Sequence, residues 1–448
     1  MKLTKKILKI TYLILLLIVM VIFYYNFTTS IGDVIWNYGF AHAIRIGEIP
    51  YKDFNMVLTP LFSFITSIGL FIYDDLSMFL LEGIILNIVL LYILYKLFNK
   101  NLFYILPIYI IFFLLKTFIP TYNLLVLILL FLLILFERQN KNDLSIGIIL
   151  GLLIISKHSI GFVISFISLL LVIKNKKKVG KRLLGLIIPC IIFLIYLILT
   201  KSLYNCIDLC ILGLFDFAGN NTYIVKRYLL MVIITFIINI LLLIKYRKKN
   251  PKELVYYLGS LFLVIPIIDL YHTYLYIFTA IIIVLLVLID NNKIKYKNQL
   301  NLMIISMNII LLIGTILIIN NQNNIRLNIN HFKYIYMSKD KVSYIRDIYN
   351  KYNEYDNSMM LGNLSTLIDI SSDHNITHFN IMSYGNWGYN IDKKVMDKFN
   401  KIHNKYIFVK QMKDRRKGNQ DYYYIYDYIE ENYKKLDTIY DYDIYYKE

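Results

Sequence analysis

The chain has 448 residues, of which 58% are hydrophobic and only 17% charged, and it carries a formal net charge of +18. A soluble chain of this length carries more charge and less apolar residue, so the balance excludes a set of soluble domains and points to a polytopic membrane protein. The apolar runs are continuous rather than alternating, which excludes a transmembrane barrel.

A bilayer core of about 30 Å takes roughly 20 apolar residues per helix. On that measure the sequence predicts about eleven spans, at roughly 8–25, 78–98, 102–117, 121–137, 144–156, 159–174, 183–200, 228–245, 254–270, 273–290 and 299–320. The N-terminal Lys-rich stretch and first apolar run show no small-residue cleavage site before Tyr24, so an uncleaved first helix is expected. Residues 26–77 form the first outer loop. Within it Leu61–Tyr73 is too short to cross and is expected to lie along the outer interface.

Charge supplies an independent test of this topology. With the N-terminus inside, the inner segments carry 22 Lys/Arg and the outer loops seven, as positive-inside orientation requires. A twelfth span at Leu61–Tyr73 would invert the later loops and place Lys176, Lys177 and Lys178 outside. From Ile325 onward, 19 basic residues face 17 acidic ones. The excess charge therefore belongs to the membrane part and reports orientation, with no nucleic-acid partner implied. Cys190, Cys206 and Cys210 make no disulfide framework, and the four-residue helical spacing of the last two fits a disulfide poorly.

The remainder, residues 321–448, is rich in Tyr, Asn, Asp and Lys and has no span-length apolar run. Eleven crossings place it outside. Helix-like stretches at Lys341–Tyr352, Lys393–His403 and Tyr422–Tyr433 alternate with strand-like ones at Tyr406–Val409 and Thr438–Tyr446, which predicts a small extracytoplasmic α/β domain. The domain reading is thus a transmembrane part over 1–320 and an outer domain over 321–448.

Ionisable groups at membrane depth are costly, and here they recur at the outer ends of their spans. Asp33 follows the first span, and Asp53 and Arg45 lie in the same outer loop. Lys157 and His158 interrupt the apolar run in IISKHSIGF, and Asp269 and His272 do so in IPIIDLYHTYLY. Carboxylates, imidazoles and an ammonium on one membrane face suit a phosphate-bearing molecule embedded in lipid. Each residue also has a plain structural reading. Asp33 ends a helix, Asp53 closes a turn, Lys157 snorkels to a lipid phosphate, and Asp269 and His272, three apart, satisfy each other on one helix face. The glycine- and aromatic-rich SYGNWGYN around Gly385–Tyr389 reads as a turn or as a sugar-stacking surface. Walker loops, GxGxxG, HExxH and CxxC pairs are absent, so nucleotide hydrolysis, dinucleotide chemistry and zinc proteolysis find no support.

The order of these motifs resembles the GT-C superfamily of polytopic glycosyltransferases, which includes the protein O-mannosyltransferases and the lipid A aminoarabinose transferases. The resemblance rests on an acidic residue opening the first outer loop, a G-x-x-P-Y-x-D-F turn from Gly47 to Phe54, an interfacial helix, SKHSIG against a TKxxxG segment, and PIIDLYH against a P-x-x-D-x-x-H segment. It covers the membrane part and, more loosely, the outer domain. Many members pair acidic residues in the first loop. Here Val34 follows Asp33, so a second carboxylate role falls to Asp53 or to none.

The resemblance implies a sugar on a polyprenyl phosphate as donor, an acceptor in the cell envelope and an inverting displacement at the anomeric carbon. Asp33 would be the general base, and Asp53 would orient the acceptor or a divalent cation. Lys157, with Arg45, His158 or His272, would stabilise the departing lipid phosphate, supported by Asp269. The location implied is a multi-pass cell membrane with a cytoplasmic N-terminus. The rival readings are a transporter or flippase for lipid-linked saccharides, or a polymerase using lipid diphosphate donors. A transporter calls for charges at mid-bilayer and interrupted helices, whereas these charges sit at outer ends.

Overall fold

A computed structural model describes residues 16–28, 32–98, 105–213, 215, 224–246, 251–265, 268–290, 313–314, 323–380, 386–389, 391–411 and 423–447. The basic N-terminus Met1–Lys9, the patch Lys293–Lys297, most of the span expected at 299–320, and Gly385 lie outside the described residues. The protein is mostly helical, with a small mixed sheet near its C-terminus. In chain order the helices are α1 (Leu16–Asn26), α2 (Gly32–Arg45), α3 (Leu61–Leu70), α4 (Leu76–Leu97), α5 (Leu106–Leu114), α6 (Tyr122–Arg138), α7 (Asp143–Ile154), α8 (His158–Leu171), α9 (Lys176–Leu199), α10 (Leu203–Leu212), α11 (Lys226–Tyr246), α12 (Pro251–Ser260) and α13 (Leu270–Asp290), followed by α14 (Lys339–Tyr352), α15 (Ser365–Ser371), α16 (Ile391–Phe399) and α17 (Tyr423–Asn432). The strands are β1 (Asn324–Arg326), β2 (Tyr336–Ser338), β3 (Ser358–Leu361), β4 (Tyr406–Lys410), β5 (Lys434–Ile439) and β6 (Tyr442–Tyr446).

Among the described residues, three helices are long and apolar enough to cross a membrane: Leu76–Leu97, Lys176–Leu199 and Leu270–Ile289. They coincide with three of the expected spans. Several other expected spans are shorter apolar helices, such as α7 and α8, which the turn at Ile155–Lys157 separates.

The chain divides into two compact units. The first comprises Met1–Tyr24, Leu81–Phe193 and Tyr223–Gln322. Its helix α6 is buried almost all round, as a helix apolar on every face must be. Helices α7 and α9 approach closely through glycines. A Cβ at Gly147 would collide with the Arg182 carbonyl oxygen, and one at Gly185 with that of Leu144. Small residues of this kind let helix backbones approach closely within lipid. At the same contact the buried Arg182 guanidinium binds Glu137 Oε1 at 2.5 Å and Asp143 Oδ1 at 2.8 Å and donates to Ser168 Oγ at 2.7 Å. Tyr256 adds a hydrogen bond to Glu137 at 3.0 Å, so the buried charges are paired and bonded, as burial demands.

The second unit comprises Tyr25–Leu80, Leu194–Thr222 and Asn323–Glu448. The stretch 26–77, expected as the first outer loop, therefore packs with the C-terminal segment. Within that loop GDVIWNYGFAHAIR forms helix α2, with Asp33 in its first turn and Arg45 in its last, both favourable to the helix dipole. Gly39 on α2 sits against Thr366 of α15, leaving no room for a Cβ. Helix α3 is the expected Leu61–Tyr73 segment, and its apolar end, with Ile68, Phe71 and Ile72, is exposed.

The four-stranded sheet has the order β3-β4-β6-β5, with β3 and β4 parallel and the other pairs antiparallel. Its core includes Leu361, Phe379, Trp387, Val395, Ile407 and Ile425. The strand expected over Thr438–Tyr446 is instead a hairpin: Tyr440 takes a left-handed φ of 52°, and the chain reverses from β5 into β6. The three cysteines are free thiols.

Candidate functional site

Three of the four expected donor-phosphate residues, Lys157, His158 and His272, lie in the first unit, where the starts of three helices come together. Lys157 is the extended residue that opens α8, and its side chain is buried. Its ammonium donates to Asn123 Oδ1 at 3.1 Å and lies 5.5 Å from the centre of the Tyr122 ring, both in the first turn of α6. Thr121, just before α6, shares a 2.8 Å hydrogen bond with Tyr271 in the first turn of α13. Asp269 precedes α13. Its Oδ1 accepts the His272 backbone N–H at 2.8 Å and lies 2.9 Å from His272 Nδ1.

Burial pushes the Lys157 ammonium down to about 8, while the Asp269 carboxylate acts in the opposite direction. The starts of α6, α8 and α13 thus surround one buried lysine. Helix N-termini carry partial positive charge and orphan N–H groups, and with an ammonium among them they favour an anion such as phosphate. His158 follows Lys157, and both of its ring nitrogens are buried with no hydrogen-bond partner among the described residues. The pairing of Asp269 with His272 is the mutual satisfaction that their spacing allowed.

The remaining expected residues lie in the second unit. Asp33 is exposed on the first turn of α2, and its backbone carbonyl accepts from Asn37 Nδ2 at 2.7 Å. The G-x-x-P-Y-x-D-F stretch is a tight turn: Gly47 and Tyr51 have φ of 96° and 70°, and the Tyr51 N–H donates to Phe54 O at 3.0 Å. The exposed Asp53 accepts the Ile49 N–H through Oδ2 at 2.8 Å, closing that turn. Phe54 stacks on Phe40 of α2 with centroids 5.4 Å apart. Arg45 is engaged by Asp74, Nη1 to Oδ2 at 2.9 Å.

Sequence reasoning missed Glu48, inside the same turn. Burial and the neighbouring Asp53 carboxylate push it up to about 7, against a hydrogen bond from Asn375 that lowers it. A carboxyl held near neutrality by burial is a candidate for a functional site.

A cleft in the second unit is lined by Trp36, Phe40, Asn55, Thr366, His378 and Asn380, among others. Trp36 Nε1 and Asn55 Nδ2 are buried there without a hydrogen-bond partner among the described residues. His378 lies 2.7 Å from Asn55 Oδ1 and accepts from Lys398 at 2.9 Å; burial and that ammonium hold its imidazole down at about 3. Trp387 belongs to the buried core, and Gly388 turns at φ 79° against the Asp208 carboxylate, so the described part of SYGNWGYN is a turn. Among its described residues Tyr389 exposes a large ring.

His42, Asp74 and His331 form a group of potential metal ligands, also unanticipated. Neither Asp33 nor Asp53 belongs to such a group among the described residues.

No model of a known protein family matches the chain. No curated protein matches it either. Among solved structures it is similar to the crystal structure of the Archaeoglobus fulgidus oligosaccharyltransferase in complex with zinc and sulfate, at 12% sequence identity and a TM-score of 0.39. The match covers 84% of this chain and 64% of that one, so the chain spans less than two thirds of that protein's length.

Proposed function

We propose that the protein is a membrane glycosyltransferase that moves a sugar from a polyprenyl-phosphate donor to a glycan, lipid or protein acceptor of the cell envelope. The observation that carries this reading is the surrounding of buried Lys157 by Asn123, Tyr122 and the Asp269–His272 pair at helix starts. That arrangement suits the anionic phosphate of a lipid-linked donor.

In this reading Lys157, with His158 and His272, stabilises the negative charge that develops on the departing lipid phosphate, where low dielectric strengthens each contact. Asp269 fixes the His272 ring by its 2.9 Å contact. Asp33 takes the proton from the acceptor hydroxyl as that oxygen attacks the anomeric carbon from the face opposite the phosphate. The anomeric configuration inverts. Asp53 holds the turn that follows α2, and Arg45, engaged by Asp74, carries no assigned step.

The test is an in vitro transfer assay with polyprenyl-phosphate sugars and purified protein in lipid. Transfer by the wild type and its loss in folded Asp33→Asn support the reading. Transfer that survives this substitution removes Asp33 as the base. Translocation of an intact lipid-linked saccharide without bond cleavage would replace the enzyme by a flippase.

A further inference from the structure

We propose that His42, Asp74 and His331 form a binding site for a divalent transition-metal ion, zinc foremost, with two imidazoles and one carboxylate as protein ligands. The proposal does not depend on the glycosyltransferase reading, since none of the three is assigned a part in transfer.

The three side chains come from separate segments of the second unit: α2, the turn after α3, and the turn around Ile329–Phe332. Their candidate ligand atoms all lie within 4.8 Å of one another. His42 Nδ1 is 2.9 Å from Asp74 Oδ1, and His331 Nδ1 is 3.4 Å from Asp74 Oδ2. Tetrahedral zinc with bonds of about 2.0–2.1 Å separates its ligand atoms by roughly 3.3 Å. The 3.4 Å separation to Oδ2 is close to that value, and the 2.9 Å separation to Oδ1 is a hydrogen-bond distance that would lengthen slightly around an ion. The two imidazole rings meet edge to face with centroids 5.0 Å apart, and each Nδ1 lies within 3.4 Å of the Asp74 carboxylate.

What surrounds the three residues distinguishes the group from a chance cluster. His331 Nδ1 lies 2.7 Å from the Asp74 backbone carbonyl and 3.4 Å from Asp74 Oδ2, and its Nε2 faces Asp373 Oδ1 at 3.0 Å. A metal-bound histidine characteristically donates its other ring N–H to a carboxylate, which fixes ring and tautomer. Asn330 in turn holds both oxygens of Asp373, at 3.0 and 3.1 Å. Arg45 binds Asp74 Oδ2 at 2.9 Å, leaving Oδ1 directed at His42.

The backbone is fixed as well. His331 has φ 58°, a left-handed conformation that a non-glycine residue adopts at a cost and that tends to cluster where function demands it. Two bonds hold it there, from Leu76 N–H to His331 O at 2.8 Å and from Lys333 N–H to Asp75 Oδ2 at 2.9 Å. Two carboxylates, Asp74 and Asp373, stand beside the histidines with one guanidinium, Arg45, on them, a set that can accommodate a cation. Three protein ligands leave a fourth position for water, the pattern of an open rather than a closed zinc site. The side chains of His42, Asp74 and His331 retain 6%, 11% and 12% exposure, so the group is largely shielded from solvent.

The competing arrangement is a metal-free relay in which His331 Nδ1–H donates to the Asp74 carbonyl at 2.7 Å. Titrating metal-stripped, full-length protein in detergent with zinc chloride against a chromophoric chelator separates the two. Expected are uptake of one equivalent, affinity lowered at least ~100-fold by His331→Ala, and affinity lowered about tenfold by Asp373→Asn, the size expected of an outer-shell partner. X-ray absorption of zinc-loaded wild type, which needs no variant to fold, should show two imidazoles with oxygen at about 2.0 Å. Absence of stoichiometric uptake, equal uptake by wild type and His331→Ala, or an absorption spectrum with fewer than two imidazoles overturns the proposal.

Discussion

The Lys157 ammonium donates to the side-chain oxygen of Asn123 across 3.1 Å, joining the start of α8 to the start of α6. Its nearest hydrogen-bonding partner is therefore neutral, and its charge is moderated rather than cancelled. Burial lowers it to about 8, so the ammonium is held in a range where it loses its proton within ordinary assay conditions.

From this follows a pH profile for transfer. The charged form predominates below about 8 and is lost above it, so activity should fall as pH rises through that value. Lys157→Arg keeps a permanent charge and should extend activity to higher pH. Lys157→Met should cost about 10²–10³-fold in kcat, the size of a lost contact to developing charge. A flat profile between pH 7 and about 9, or full activity in Lys157→Met, would show that the lysine serves packing alone.

The second unit holds a carboxylate whose stability effect runs opposite to the usual one. Asp369 is fully buried; burial pushes it up to about 7, although Tyr352 and Asn380 donate to it at 2.8 and 3.3 Å. The unfolded carboxyl titrates near 3.9. Between those values the folded state binds more protons than the unfolded, so stability is greatest below about 4 and declines as pH rises toward 7. The full penalty is on the order of 4 kcal/mol at most. Asp369→Asn should abolish that slope, leaving a protein more stable than wild type at pH 8 and about equal at pH 4. Parallel slopes for the two in chemical denaturation would contradict it.

Arg182 supplies a stability prediction in the first unit. Replacing it with alanine strands Glu137, 4% exposed, without its guanidinium partner. Breaking a buried pair by removing one member typically costs about 3–5 kcal/mol. Arg182→Ala should therefore lower the unfolding temperature in detergent far more than Lys181→Ala, the exposed neighbour on the same helix. Equal effects would mean that Glu137 finds another partner.

How much of this was legible in the sequence depended on the range of the contacts. The break at Lys157 and the Asp269–His272 pair are local events, marked by polar residues interrupting apolar runs and by an i, i+3 spacing. The turn from Gly47 to Phe54 was legible as a motif, but the pairing of Glu48 with Asp53 was not, because it depends on burial. Helix α2 escaped notice because its polar and aromatic residues carry no simple apolar face; α3 and α15, far apart in sequence, bury it. The contact between Asp74 and His331 joins positions 257 apart, with no periodicity to announce it. In the C-terminal segment α14, α16, α17 and β4 follow from pattern, whereas the short α15 was not marked by any. Tyr440 hid the hairpin, because a left-handed tyrosine is rare and replaces the glycine or asparagine that usually marks such a turn.

The contact of α7 with α9 can be tested by two glycines of one helix. At Gly185 a Cβ would strike the backbone carbonyl of Leu144 and come within 2.9 Å of the Ile148 nitrogen, atoms that move only if the helices part. At Gly180 a Cβ meets nothing within 4 Å. Alanine in place of glycine otherwise favours a helix by up to about 1 kcal/mol. Gly180→Ala should accordingly be neutral or stabilising, whereas Gly185→Ala should cost about 1–3 kcal/mol, the usual price of overpacking. Their unfolding temperatures in the same detergent should move in opposite directions. If both rise, helix propensity outweighs contact and α7 and α9 are not held by backbone approach. If only Gly185→Ala falls, the glycine seam is what sets their separation.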